Sequence, residues 1–172
     1  LNFLEDAESG DRFEVILIDN ASQDGTLSCL PEAGRFLSVL KNDENLGFAS
    51  AVNRAATYAR GEYLLLLNPD AVISMHMIRE LVQFADLRPE FGIYGPRALF
   101  PDDRENPKGC WNAPTLWSVF CLETGLTRAF RYSSLFEPEY VRIDLSRDWQ
   151  GVDILSGYCT LIRMDIWGDL RG

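Results

Sequence analysis

Val15-Ile16-Leu17-Ile18-Asp19 runs directly into Asn20-Ala21-Ser22-Gln23-Asp24-Gly25, and this junction decides the fold. The apolar run that follows Glu14 lacks the alternation of a half-exposed strand. It predicts a strand buried on both faces, as in a parallel sheet. The polar residues after it have side chains that bond their own backbone, so they predict a loop. Ser22 or Asp24 is placed to cap a short helix starting near Thr26, and Pro31 would end it.

The pattern repeats downstream. Arg35 to Lys41 alternates weakly and predicts a second strand, followed by a polar loop from Asn42 to Gly47. Phe48, Ala51, Val52, Ala55, Ala56 and Ala59 then fall at helical spacing, with Gly61 where a helix C-terminal glycine belongs. Tyr63 to Leu67 predicts a third buried strand, closed by Asn68-Pro69-Asp70. Ser74 to Leu87 predicts an amphipathic helix with Met77, Ile78, Leu81, Val82 and Ala85 on one face, stopped by Pro89. Strand and helix in this rhythm predict an α/β fold, a mostly parallel sheet flanked by helices. Ligands of such sheets bind beyond the carboxyl ends of the strands, where Asp19 and Asp70 both lie.

From about Phe100 to Trp149 the character changes. Trp111, Trp117, Phe120, Phe130, Tyr132, Phe136, Tyr140 and Trp149 crowd together with poor periodicity. This stretch reads as an elaboration of the same domain, and its aromatics as local core more readily than as a sugar platform or a patch against a lipid-linked acceptor. Arg97, Arg128 and Arg131 are candidates to meet phosphate, or are simply solvated. Val152 to Arg163 predicts a final strand region broken at Ser156-Gly157.

Bulk properties narrow the classes. The chain has 172 residues, of which 47% are hydrophobic and 24% charged, enough for the core of one ordinary domain. The net charge of −10 argues against nucleic acid, whose phosphates call for a basic face. It argues equally against electrostatic adhesion to an anionic membrane. Cys29, Cys110, Cys121 and Cys159 form no paired motif, and His76, expected at the surface, has no partner histidine, so a zinc site is not expected. Reduced thiols in a cytoplasmic chain are expected. No signal peptide is recognised, and no apolar run is long enough to span a bilayer. An unrelated α/β nucleotide-binding protein is a weaker reading, and the lack of a Gly-x-Gly-x-x-Gly or Walker pattern weighs against dehydrogenases and P-loop enzymes.

Three motifs stand in order: Ile18 to Thr26, then Asn45-Leu46-Gly47-Phe48-Ala49 followed by Asn53, then Leu66-Leu67-Asn68-Pro69-Asp70-Ala71. At these spacings they resemble the family 2 glycosyltransferases of GT-A fold, and within them the rhamnosyltransferase-like branch. Val152 to Arg163 is similar to that branch's acceptor-side strand. The resemblance covers nearly the whole chain. It implies a single domain, 1–172, with a nucleotide-sugar-binding half at 14–100 and an acceptor-side segment at 101–172.

The resemblance also implies roles. The carboxylate of Asp19 would accept the imide N–H of uracil or thymine. Its residue-level alternative is a turn or helix-cap aspartate. Ser22 and Asp24 more readily shape the loop. Gly47 allows close backbone approach or a sharp turn. Asn45 and Asn53 would line the nucleotide-sugar pocket with donors and acceptors, although Asn53 also fits a solvated helix position. Asn68-Pro69-Asp70 stands where the family has Asp-x-Asp. Asn68 replaces the first carboxylate, leaving Asp70 to hold Mg²⁺ or Mn²⁺ on the diphosphate. The alternative there is a plain strand-ending turn.

The family's first strand and its C-terminal Glu-Asp base pair have no counterpart here, so the sequence resembles a member incomplete at both ends. The expected base would lie beyond Gly172. Asp153 and Asp165 are the substitutes at hand, with no motif behind either. The implied activity is inverting transfer of a sugar, rhamnose from dTDP-rhamnose above others, to a saccharide or lipid-linked acceptor in cell-surface polysaccharide synthesis. It would take place in the cytoplasm or at the inner face of the cell membrane. The competing expectation is a nucleotide-sugar-binding or interaction module without turnover.

Overall fold

Val15–Asp19 forms strand β1 and pairs in parallel with β2, Leu37–Lys41, with Val15 opposite Leu37 and Asp19 opposite Lys41. In this computed structural model the described residues are 13–29, 36–100, 104, 106, 109–144 and 146–171. The loop after β1 closes into a short 3-10 helix over Thr26–Cys29, the short helix expected there. Arg35, Pro31 and the opening Leu1 to Asp6 lie outside the described residues.

Helix α1, Phe48–Ala56, follows the β2 loop and buries Ala51 and Ala56. It ends earlier than the alanine pattern predicts. Thr57, Tyr58 and Ala59 each donate to a carbonyl three residues back, a tightened last turn. The cap is therefore Thr57, and Gly61 lies in the connection to β3 instead of at the helix end. Strand β3 is Tyr63–Leu67, as the sequence predicts, although its residues are half-buried. Helix α2, Met75–Leu87, starts at Ser74, whose hydroxyl accepts the Met77 N–H at 3.2 Å. Its buried face centres on Met75 and Ala85, so Met77 is exposed, a correction to the predicted face.

Ile93–Tyr94 is β4, and Cys110–Trp111 is β5. The aromatic stretch is more regular than its sequence suggests. It holds α3, Leu116–Glu123, and the single turn α4, Leu126–Ala129. Thr115 and Ser118 close a capping box at the start of α3. The final strand region splits into β6, Ile154–Leu155, and β7, Cys159–Arg163, on either side of the Ser156-Gly157 break. Helix α5, Met164–Leu170, ends the described chain.

Among the described residues the strands form three sheets: β1-β2, β3-β7-β4 and β5-β6. β7 is the most buried strand, as the middle position of its sheet requires. It runs opposite to β3, because Asn68 donates to the Tyr158 carbonyl at one end while Met164 donates to that of Glu62 at the other. β5 and β6 are also antiparallel.

The chain forms two compact units. The first takes residues 1–65, 72–93 and 161–172, and its core includes Leu37, Ala51, Ala56, Met75, Ala85 and Leu161. The second takes residues 66–71 and 94–160, with Tyr94, Ala98, Cys121, Val141 and Cys159 buried within it.

Candidate functional site

Parallel pairing delivers the ends of β1 and β2 side by side, so the loops that follow them meet. Asp19 closes β1 and is only 7% exposed. One of its carboxylate oxygens accepts the Ser22 N–H at 3.2 Å, so Asp19 shapes the loop as well as facing it. The other oxygen has no hydrogen bond among the described residues. Ala21 turns the chain with φ of 65°. The Asp19 carbonyl accepts the Asn42 N–H at 2.9 Å, extending the ladder one residue past β2.

Asn20 is the hub of this end. Its Oδ1 accepts from Asn42 Nδ2 at 2.9 Å and from the Leu46 N–H at 3.0 Å. Its Nδ2 donates to Asn45 Oδ1 at 2.7 Å and, more weakly, to the Gly47 carbonyl at 3.4 Å. Asn42 is 5% exposed, and its Oδ1 accepts from Arg54 Nη1, which also donates to the Lys41 carbonyl at 3.2 Å. A buried amide needs partners on both its ends, and Asn42 has them. The structure thus brings Asp19, Asn45 and Gly47 together through residues the sequence reading passed over. Asn42 carries the signal that marked Asp19, since it too stands at the carboxyl end of a strand. Asn20 and Arg54 carried no comparable signal.

Gly47 is the residue before α1, with φ of 78° and ψ of 167°. Its N–H donates to Asn45 Oδ1 at 2.9 Å, and its carbonyl accepts the Ala51 N–H at 3.2 Å. Asn45 is exposed on the loop. Asn53 is exposed on α1 and makes no hydrogen bond among the described residues. It is not drawn into the Asn20 cluster.

Asn68 and Asp70 belong to the second unit. The Asn68 N–H donates to the Tyr158 carbonyl at 2.9 Å, and the Asn68 carbonyl accepts the Ala71 N–H at 3.1 Å, closing a turn that projects Pro69 and Asp70 outward. Asp70 is exposed and its carboxylate has no partner among the described residues. Those residues include no group of three or more His, Cys, Asp or Glu side chains able to hold a metal. Asp70 therefore offers a single carboxylate.

Neither substitute base is free. Asp153 Oδ2 accepts the Ala113 N–H at 2.8 Å. Asp165 pairs with Arg163 at 2.6 Å, and hydrogen bonding from that guanidinium, with the Ile166 N–H, holds its carboxyl below the usual carboxylate range. A carboxylate so stabilised is a poorer proton acceptor. His76 is at the surface as expected, 3.4 Å from Glu80.

The aromatic stretch departs from the local-core expectation. Trp117 and Phe120 stack with centroids 5.4 Å apart, yet both are exposed, as are Phe130 and Tyr132. Leu116 is 93% exposed. Cys121 alone on α3 is sealed off among the large residues, at 0% exposure. Cys110, Cys121 and Cys159 are free thiols. No helix among the described residues is long and apolar enough to cross a membrane.

Known proteins resemble this sequence in part. Over 92% of its length the chain is 27% identical to the N-acetylglucosaminyl-diphospho-decaprenol L-rhamnosyltransferase of Mycobacterium tuberculosis (strain ATCC 25618 / H37Rv), covering 54% of that protein. Over 46% of its length it is 34% identical to an uncharacterized glycosyltransferase of Bacillus subtilis (strain 168), covering 21% of that protein. The chain thus spans about a fifth to about half of the length of these curated relatives. The model of glycosyl transferase family 2 matches residues 2–170. With an α/β fold and a polar cluster at the carboxyl ends of its parallel strands, the chain belongs to glycosyl transferase family 2.

Proposed function

We propose that this chain binds a nucleotide-sugar and transfers its sugar, with inversion, to a saccharide or lipid-linked acceptor. The observation that carries the reading is the polar cluster around Asn20, set at the paired ends of β1 and β2 in a chain of this family. Rhamnose from dTDP-rhamnose is the favoured donor, supported by a relative whose name specifies rhamnosyl transfer. In this reading Asp19 accepts the N–H of the base, Asn45 and Asn53 line the donor, and Gly47 lets the loop approach it. Asp70, with Asn68 beside it in the turn, would hold Mg²⁺ or Mn²⁺, which when bound offsets charge on the departing nucleoside diphosphate. The exposed apolar face of α3 supports a lipid-linked acceptor, taken up at the cytoplasmic face of the membrane in cell-surface polysaccharide synthesis.

A second reading, donor binding without turnover, is favoured by one observation: Asp153 and Asp165 are both engaged by other groups. A single assay separates the two. The chain is incubated with dTDP-rhamnose and Mn²⁺, and both binding and rhamnose release are followed. Metal-dependent binding with release, the binding lost in Asp70→Ala, supports transfer. Binding without release under any acceptor supports the module. Absence of metal-dependent binding to dTDP- or UDP-sugars sinks both.

A further inference from the structure

We propose that Arg54, Asn42 and Asn20 form a one-way hydrogen-bond chain that leaves Asn45 able to meet a ligand only as a donor. The ligand atom it reads is therefore an acceptor oxygen of the nucleotide-sugar. This rests on the donor-binding reading above and specifies the chemistry of one contact within it.

The direction of the chain is forced from one end. A guanidinium has five N–H groups and no acceptor. Arg54 Nη1 points at the Asn42 side chain, so Asn42 must turn its oxygen towards Arg54. Its NH₂ then faces Asn20, which must answer with its own oxygen. The Leu46 backbone N–H, which can only donate, points at that same oxygen and agrees. The Asn20 NH₂ is left to face Asn45, which must present oxygen. The Gly47 N–H points at that oxygen too and agrees again. Three obligate donors, one cation and two backbone amides, thus fix the same polarity along the row.

Two consequences follow for Asn45. Its carbonyl oxygen already accepts two hydrogen bonds, at 2.7 and 2.9 Å, and its acceptor capacity is spent inside the protein. Its NH₂ makes no hydrogen bond among the described residues and stands on an exposed loop. Each amide in such a row polarises the next, so the cation at Arg54 strengthens the free N–H groups at the far end. A donor of this kind suits phosphate or hydroxyl oxygens and rejects N–H groups. Asn20, Asn42 and Arg54 act through Asn45 and are positioning residues.

Asparagine-to-aspartate exchange isolates the claim. Asn45→Asp keeps both internal acceptances while losing the outward donor and adding a negative charge. Asn45→Ala loses everything. Asn45→Asp is expected to melt close to the parent but to bind dTDP-rhamnose with Mn²⁺ at least about tenfold more weakly, and more weakly than Asn45→Ala. Asn45→Ala is expected to be the less stable of the two. A purely structural Asn45 puts alanine last in both measurements, and that result overturns the proposal. Arg54→Lys, which keeps the cation, is expected to bind better than Arg54→Gln, which is neutral and withdraws the polarisation passed along the row. Equal or reversed order overturns the part given to Arg54. Side-chain amide exchange followed by NMR on the ligand-free chain tests the row without any nucleotide. Slow exchange at Asn20 and Asn42 with fast exchange at Asn45 is expected, and equally slow exchange at all three overturns it. If the parent binds no nucleotide-sugar, the donor-binding reading falls, and the exchange pattern still decides whether the row exists.

Discussion

Gly47 shows how much one residue contributes here without a side chain. Its φ of 78° and ψ of 167° lie in a region that only glycine enters readily, yet a methyl group there would meet nothing within 4 Å. The requirement is conformational, not steric. Gly47→Ala is expected to destabilise the chain by about 1–3 kcal/mol in urea denaturation, and to loosen the Asn45 loop by displacing the Gly47 N–H. Tyr158 and Cys159 respond to pH. Burial raises Tyr158 to about 12 and Cys159 to about 11. Both acids hold their protons longer in the folded chain than in the unfolded one. The stability they contribute is complete below their ordinary values, near 10 and 9, and drains away as pH rises through about 11 to 12. Urea midpoints measured from pH 8 to 12 should fall across that window, and iodoacetamide at pH 8 should label Cys110 well before Cys159. Asp19 ends a strand, Gly47 precedes a helix and Asp70 lies in the turn after β3, places that local pattern marks. Asn20 and Arg54 were not so marked, because their roles depend on partners distant in sequence; Asn20 and Asn45 are 25 residues apart. No local pattern encodes such a pairing.

At the scale of elements, caps decide where two helices begin. Ser74→Ala removes the acceptor for the Met77 N–H, and Thr115→Ala removes half of a capping box. Each is expected to cost about 1 kcal/mol in thermal or urea unfolding, with the helix signal reduced in far-ultraviolet dichroism. β1 and β3 were readable as apolar runs, β2 as a weak alternation and α2 as an apolar stripe. α3 was not. Leu116, Trp117, Val119, Phe120 and Leu122 put apolar groups on the exposed face while Ser118 and Cys121 lie on the buried one, which erases the periodicity by which a helix is recognised. Its only local sign was Thr115 with Ser118 three residues on. α1 ran short of its alanine pattern, since alanine favours helix but does not fix where one stops. The reversed direction of β7 was equally hidden, because an apolar run reads the same in parallel and antiparallel neighbours.

At the scale of the whole molecule, the sequence yielded fold class and family, while the route by which residues 94–160 gather with 66–71 into one unit depends on contacts far apart in the chain. Net charge of −10 keeps such chains apart in solution through mutual repulsion. Because β1 and β2 run the same way, the loops that follow them leave the sheet from one rim, and the Asn20–Asn42 hydrogen bond ties the two together, so neither loop can be rebuilt without the other answering for it.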